Sequence, residues 1–130
     1  MSQDKKSILV VEDETSMANL ISFKLKKEGY EFDIAADGEK ALEKFYDENT
    51  YYDVIILDLI LPVLDGTQVI KKIRKDDNKT PVLVLSAKSQ EKDVLSGFKL
   101  GADDYLTKPF SPDELIIRVK KLLEKSEIDD

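Results

Sequence analysis

Three observations in this 130-residue chain predict a doubly wound α/β fold: a (βα)5 three-layer sandwich around a five-stranded parallel sheet in the order 2-1-3-4-5. Short runs rich in Val, Ile and Leu alternate with segments whose apolar residues recur at helical spacing. The strand runs lack polar alternation, as expected of strands buried on both faces of a covered sheet. Four of them stop at polar residues, namely Glu12-Asp13, Asp58, Ser86 and Lys108. In an open parallel sheet the carboxyl ends of the strands line one crevice, so residues far apart in sequence become neighbours.

The predicted strands are Ser7 to Val11, Glu31 to Ala36, Asp53 to Leu57, Pro81 to Ser86 and Ala102 to Leu106. Met17, Leu20, Ile21 and Leu25 mark the first helix; Ala41, Leu42 and Phe45 the second; Val69, Ile70 and Ile73 the third. A fourth helix, from Gln90 to Leu100, carries Val94, Leu95 and Phe98 around Ser96-Gly97. A mid-helix glycine costs on the order of 1 kcal/mol relative to alanine, so this helix is the weakest. The fifth starts at Ser111-Pro112-Asp113-Glu114, an N-cap serine, a proline at the first helical position and a glutamate three residues after the serine, followed by Leu115, Ile116, Val119, Leu122 and Leu123. Gly29 and Gly101 stand where helices should end in a left-handed residue. Right-handed crossovers then give the flavodoxin-like order 2-1-3-4-5, whose switch point sets Glu12-Asp13 opposite Asp58.

Composition narrows the chemistry. With 42% apolar and 36% charged residues the chain suits one globular domain. Its 20 basic and 27 acidic side chains give a net charge of -7, which disfavours direct binding to nucleic acid or an anionic membrane. No run reaches the length of a membrane span and no signal peptide is apparent, so a cytoplasmic location is expected. The absence of His and Cys excludes Ser-His-Asp and Cys-His triads and the usual zinc sites. Any chemistry must run on carboxylates, lysine and hydroxyls, and clustered hard oxygen ligands favour Mg²⁺.

Each strand-end residue also has an ordinary explanation. Glu12-Asp13 suits a helix start, Asp58 a turn, Ser86 a helix cap for which Ser89 could substitute, Lys108 a solvated surface, and Tyr105 core packing. These explanations are independent of one another, whereas a shared site requires all five together. Two carboxylates about 4 Å apart repel by about 4 kcal/mol at an effective dielectric near 20, so three in one crevice call for a compensating cation.

The motifs ILVVEDE, DVIILDLILPVLDG, VLVLSA and GADDYLTKPFSPDEL resemble those of the receiver domain of two-component response regulators, over Ser7 to about Lys125. That resemblance implies Asp58 as the phospho-acceptor. It implies Mg²⁺ held by Glu12, Asp13, Asp58 and the Ile60 backbone carbonyl, and Ser86, Lys108 and Tyr105 as phosphoryl-contacting or switch residues. It also implies a cis Lys108-Pro109 bond. The donor would be phosphohistidine on a sensor histidine kinase or histidine phosphotransfer protein, necessarily another molecule because this chain has no histidine. The chain would thus be a switch, with no turnover of an external substrate. In the family scheme, phosphorylation draws Ser86 inward and Tyr105 rotates into the vacated space.

Within the family the chain looks most like the winged-helix transcription-factor branch, which dimerises through the fourth helix, fifth strand and fifth helix. Leu95, Phe98 and Ile116 match its apolar patch, and Asp104 and Arg118 one of its cross-interface ion pairs. Two positions depart: Val94 stands where a basic partner for Glu114 is usual, and Lys99 where an acid is usual. Ile60 and Lys88 flank the path of a hydrolytic water, and Ile60 has no polar group to orient it, so slow autodephosphorylation is expected.

Other functions fit these residues less well. An Asp-x-Asp phosphatase lacks its second acid, because Leu59-Ile60 follows Asp58. A flavin or nucleotide binder would need a phosphate loop where the chain has Glu-Asp-Glu. A phosphorylation-independent interaction module is the remaining alternative. The expected organisation is an N-terminal extension over 1–6, a receiver domain over 7–125 and an acidic tail over 126–130, either as a stand-alone receiver or cut before an effector domain.

Overall fold

A computed structural model describes residues 5–77 and 79–129, with side chains described through Lys125. Within them five strands and five helices alternate: β1 (Ser7–Val11), α1 (Thr15–Lys27), β2 (Glu31–Ala35), α2 (Gly38–Tyr46), β3 (Val54–Asp58), α3 (Gly66–Asp76), β4 (Val82–Ser86), α4 (Glu91–Leu100), β5 (Asp104–Thr107) and α5 (Pro112–Asp129). The strands form one parallel sheet in the order β2-β1-β3-β4-β5, as predicted.

Both sheet faces are covered. Leu9, Val11, Ile55, Leu57, Val82 and Val84 pack with Ala41, Val69, Ile70 and Ile73 of α2 and α3. From the opposite face Ile8, Val10, Val54, Ile56, Leu83 and Leu85 meet Ile21, Leu25, Leu115, Val119 and Leu122 of α1 and α5. Alternate residues of each central strand thus serve opposite cores, which is why β1, β3 and β4 read as continuous apolar runs. β2 departs from that reading: Glu31, Asp33 and Ile34 are exposed, because it lies at the sheet edge.

The strand ends differ from expectation for identifiable reasons. Pro81 has no N–H to give, so β4 starts at Val82, while the Pro81 carbonyl still accepts from the Ile55 N–H at 2.9 Å. β5 starts at Asp104 rather than Ala102, since the Asp103 carboxylate takes the Val82 N–H at 2.8 Å and the ladder begins with Leu83 opposite Asp104. β3 runs one residue further than predicted and includes Asp58.

Gly29 and Gly101 adopt φ of 86° and 114°, the left-handed terminators the sequence requires. At the start of α5 the Ser111 Oγ accepts from the Asp113 N–H at 3.2 Å and its carbonyl from the Leu115 N–H at 3.1 Å, with Pro112 first in the helix. α5 extends to Asp129, so the backbone over 126–129, expected as a tail, continues the helix. Residues 1–4 of the expected N-terminal extension, and Asp130, lie outside the described residues.

Candidate functional site

The four strand-end positions meet at the carboxyl edge of the sheet. Glu12 follows β1 directly, and its N–H donates to the Ala35 carbonyl at 3.0 Å, holding it in line with the sheet. Its side chain is buried, and Oε2 accepts from the Glu14 N–H at 3.2 Å. Asp13, one residue on, is exposed. Asp58 closes β3, buried, with Oδ1 accepting from the Ile60 N–H at 3.0 Å. Gly66 makes this turn feasible: a Cβ there would collide with the Asp58 carbonyl and the Leu59 backbone. The Asp65-Gly66 pair in the sequence carried that signal, but only as a generic turn.

Ser86 ends β4 with no exposed surface, and its Oγ accepts from the Lys88 N–H at 3.1 Å. The reading of Ser86 or Ser89 as a helix cap does not hold, because Gln90 occupies the N-cap of α4. The Lys108 N–H donates to the Ser86 carbonyl at 2.8 Å, which aims the lysine across the crevice. There Nζ donates to Asp58 Oδ2 at 2.8 Å and to Glu12 Oε1 at 3.0 Å. Lys108-Pro109 is cis, as the resemblance implies.

Burial pushes the Glu12 carboxyl up, the Lys108 hydrogen bond only partly offsets this, and the nearby Asp58 charge adds to the rise. Burial pulls the Lys108 ammonium down, but its hydrogen bonds to Asp58 and Glu12 outweigh that and its pKa rises. The lysine is therefore firmly charged, and one ammonium serves two carboxylates. One oxygen each of Glu12, Asp13 and Asp58 lie within 4.8 Å of one another, two carboxylates buried and one open to solvent. Three hard anionic oxygens so placed, with an open side, fit a small divalent cation such as Mg²⁺. Ile60 adjoins the site on the β3–α3 loop with its side chain 57% exposed.

Tyr105 is buried in β5, and its hydroxyl donates to the Lys88 carbonyl at 2.9 Å. The two ends of Lys88 thus link the Ser86 and Tyr105 hydroxyls, a backbone connection that reading side chains along the sequence missed. On the expected dimer surface Leu95 and Phe98 are 53% and 43% exposed. Ile116, by contrast, lies in the core at 6% exposure, because it belongs to the apolar stripe of α5; its neighbour Ile117 is exposed. Arg118 pairs within the chain, with Asp104 at 2.8 Å and Glu114 at 3.0 Å, so the glutamate that lacks a basic residue at position 94 finds one a turn along α5.

Residues 8–120 match the response regulator receiver domain family. The chain is 49% identical over 123 residues to the alkaline phosphatase synthesis transcriptional regulatory protein PhoP of Bacillus subtilis, covering 95% of this chain and 50% of that protein. It is 44% identical to the sensory transduction protein RegX3 of Mycolicibacterium smegmatis, covering 92% and 51% respectively. The chain therefore spans about half the length of the curated relatives it matches. Among solved structures, the receiver domain of Francisella response regulator 1452 superposes with a TM-score of 0.88 at 41% identity, over 94% of this chain and 99% of that one. A CheY-like receiver domain protein of Methanospirillum hungatei superposes with a TM-score of 0.90 at 28% identity, over 98% and 100%. This chain belongs to the response regulator receiver domain family, the phosphorylation-dependent switches of two-component systems.

Proposed function

We propose that Asp58 is the phospho-acceptor of this switch and that a phosphohistidine on a sensor kinase or phosphotransfer protein is its donor. The observation that carries this reading is the setting of the Asp58 carboxylate. It is buried at a strand end, held by Lys108 and the Ile60 N–H, and grouped with Glu12 and Asp13. An Asp58 oxygen attacks the phosphorus, a P–O bond forms, the P–N bond breaks and its electron pair leaves with the donor imidazole. Charge on the moving group sits on its three equatorial oxygens, so the site must position and neutralise rather than cut.

Lys108 already reaches Asp58 and can follow its new phosphoryl oxygens. Ser86 accepts from the Lys88 N–H, which leaves its own proton free to donate. Glu12, Asp13, Asp58 and the Ile60 carbonyl would hold Mg²⁺, which when bound supplies positive charge to the transferring phosphoryl group. The chain turns over no external substrate in this reading, and it works in the cytoplasm. Asp58 reaches its donor only when another protein brings a histidine, so the domain is a receiver rather than a free-standing catalyst.

Output passes through the surface of α4, β5 and α5. Leu95 and Phe98 supply exposed apolar area for a homodimer there, with Asp104 and Arg118 at its edge and Ile116 acting from beneath as packing. The deciding experiment is Mg²⁺-dependent labelling by a small phosphodonor such as acetyl phosphate, with association state read on the same samples. Wild type is expected to acquire one base-labile, hydroxylamine-sensitive phosphoryl group that Asp58→Asn lacks. Labelling that survives the substitution, or none in wild type, refutes the assignment. The acyl phosphate is expected to last minutes or longer, and a lifetime of seconds would contradict the role given to Ile60.

A further inference from the structure

We infer that Gly97 is the seat of the Tyr105 ring: its missing side chain is what allows that ring to lie buried with its hydroxyl on the Lys88 carbonyl. The inference rests on the switch pairing of Ser86 and Tyr105 that the family resemblance implies, and it assigns the residue that keeps the pair connected through Lys88. Gly97 occupies the interior of α4, where glycine weakens a helix, and no left-handed φ demands it there. It is also the buried residue of an otherwise exposed or half-exposed helix. Packing explains the choice. A Cβ at position 97 would stand 2.8 Å from Cδ2 and 2.9 Å from Cε2 of Tyr105, inside the closest approach that carbon atoms tolerate.

A methyl group there would force either the helix or the ring to move, and the fastenings decide which. One turn further on, α4 is clamped. The Ala102 N–H donates to the Gly97 carbonyl at 3.2 Å, and Arg74 Nε donates to the Gly101 carbonyl at 2.9 Å. An Arg74 terminal nitrogen also pairs with Asp103 at 2.9 Å, and that carboxylate takes the Val82 N–H. The ring, though buried, is fastened by one hydrogen bond, from its hydroxyl to the Lys88 carbonyl, and a side chain can change rotamer where a clamped backbone cannot shift. The ring therefore gives way. Once it swings out, Lys88 still meets the Ser86 hydroxyl but no longer reaches Tyr105, and the link from Ser86 to the ring seated on α4 is cut.

The test uses this chain with Gly97→Ala, Tyr105→Ala and the double variant. In the Tyr105→Ala background Gly97→Ala is expected to stabilise the protein, since the ring is gone and alanine is the better helix former. In the Tyr105 background the same change is expected to destabilise it, giving a coupling of about tenfold or more in the unfolding equilibrium constant. Additive effects would overturn the inference. A fluorine resonance from 3-fluorotyrosine at position 105, assigned with Tyr105→Phe, is expected to move to a solvent-exposed value in Gly97→Ala; an unmoved signal would overturn it too. Phosphodonor labelling in Gly97→Ala should match wild type, and its loss would place the effect in the site and refute a seat. Failure of wild type to label at Asp58 would instead strike the proposed phospho-acceptor, while the stability coupling would still report on the seat.

Discussion

Within the site, the fold disfavours the ionisation of Glu12. Its carboxyl is buried, and burial raises its pKa despite the Lys108 contact. A carboxyl whose folded pKa exceeds the unfolded value of 4.5 favours folding when protonated, so its contribution is full below 4.5 and is lost as pH rises through the higher folded value. Glu12→Gln is therefore expected to raise the melting temperature at neutral pH, with the difference from wild type vanishing in thermal scans below pH 4.5. Lys108 titrates with the opposite charge but the same sign: its pKa is raised above 10.5, so its contribution is full below that value and fades above it. Lys108→Met leaves two buried carboxylates facing each other without a cation. A loss of about 2 kcal/mol or more is expected in metal-free denaturant unfolding, partly recovered by added Mg²⁺. A loss unaffected by Mg²⁺ would argue against the cluster as a cation site.

At the scale of elements, α5 and α4 are opposites. α5 is set by local chemistry, the Ser111 cap and Pro112 start, and its apolar stripe is legible without any neighbour. Ser111→Ala is expected to cost about 1 kcal/mol in denaturant unfolding. α4 has no side-chain cap, carries a buried glycine and exposes Leu95 and Phe98, so its position depends on what holds its ends. Arg74 of α3 holds the C-terminal end through the Gly101 carbonyl and Asp103, while also donating to the Asp77 carbonyl at the end of its own helix. Removing that guanidinium leaves part-buried acceptors without their donor. Arg74→Ala is expected to cost about 1 to 3 kcal/mol and to speed amide hydrogen exchange in α4 more than in α5. Equal changes in both helices would contradict the clamp.

For the whole molecule, the sheet gathers charge at one edge and apolar packing on both faces. The charge cluster is a stability liability that a bound cation relieves, since any ligand that binds only the folded state stabilises it by mass action. Mg²⁺ is expected to raise the melting temperature in a concentration-dependent way, reaching about 2.7 kcal/mol at a hundredfold excess over its dissociation constant. Asp13→Asn, which removes the exposed carboxylate of the group, should weaken that dependence. An identical Mg²⁺ response in wild type and Asp13→Asn would overturn the ligand set.

Much of this molecule was determined by the sequence alone. Apolar runs of strand length, helical spacing, two terminating glycines and one strong helix start are local or periodic signals, and they specified five strands, five helices and the sheet order. The strand-end rule then brought Glu12, Asp13, Asp58, Ser86 and Lys108 together without any knowledge of distances. Tertiary structure decided the rest. Ile116 and Ile117 are adjacent and equally apolar, and only the rotation of α5 against the sheet sends one inward and leaves the other outside. The double hold of Lys108, the link through Lys88 and the fit of Tyr105 on Gly97 depend on spacings of a few tenths of an ångström between elements. Periodicity tells which face of a helix is apolar; how close its backbone comes to a ring on another strand is set by the packing of the entire core.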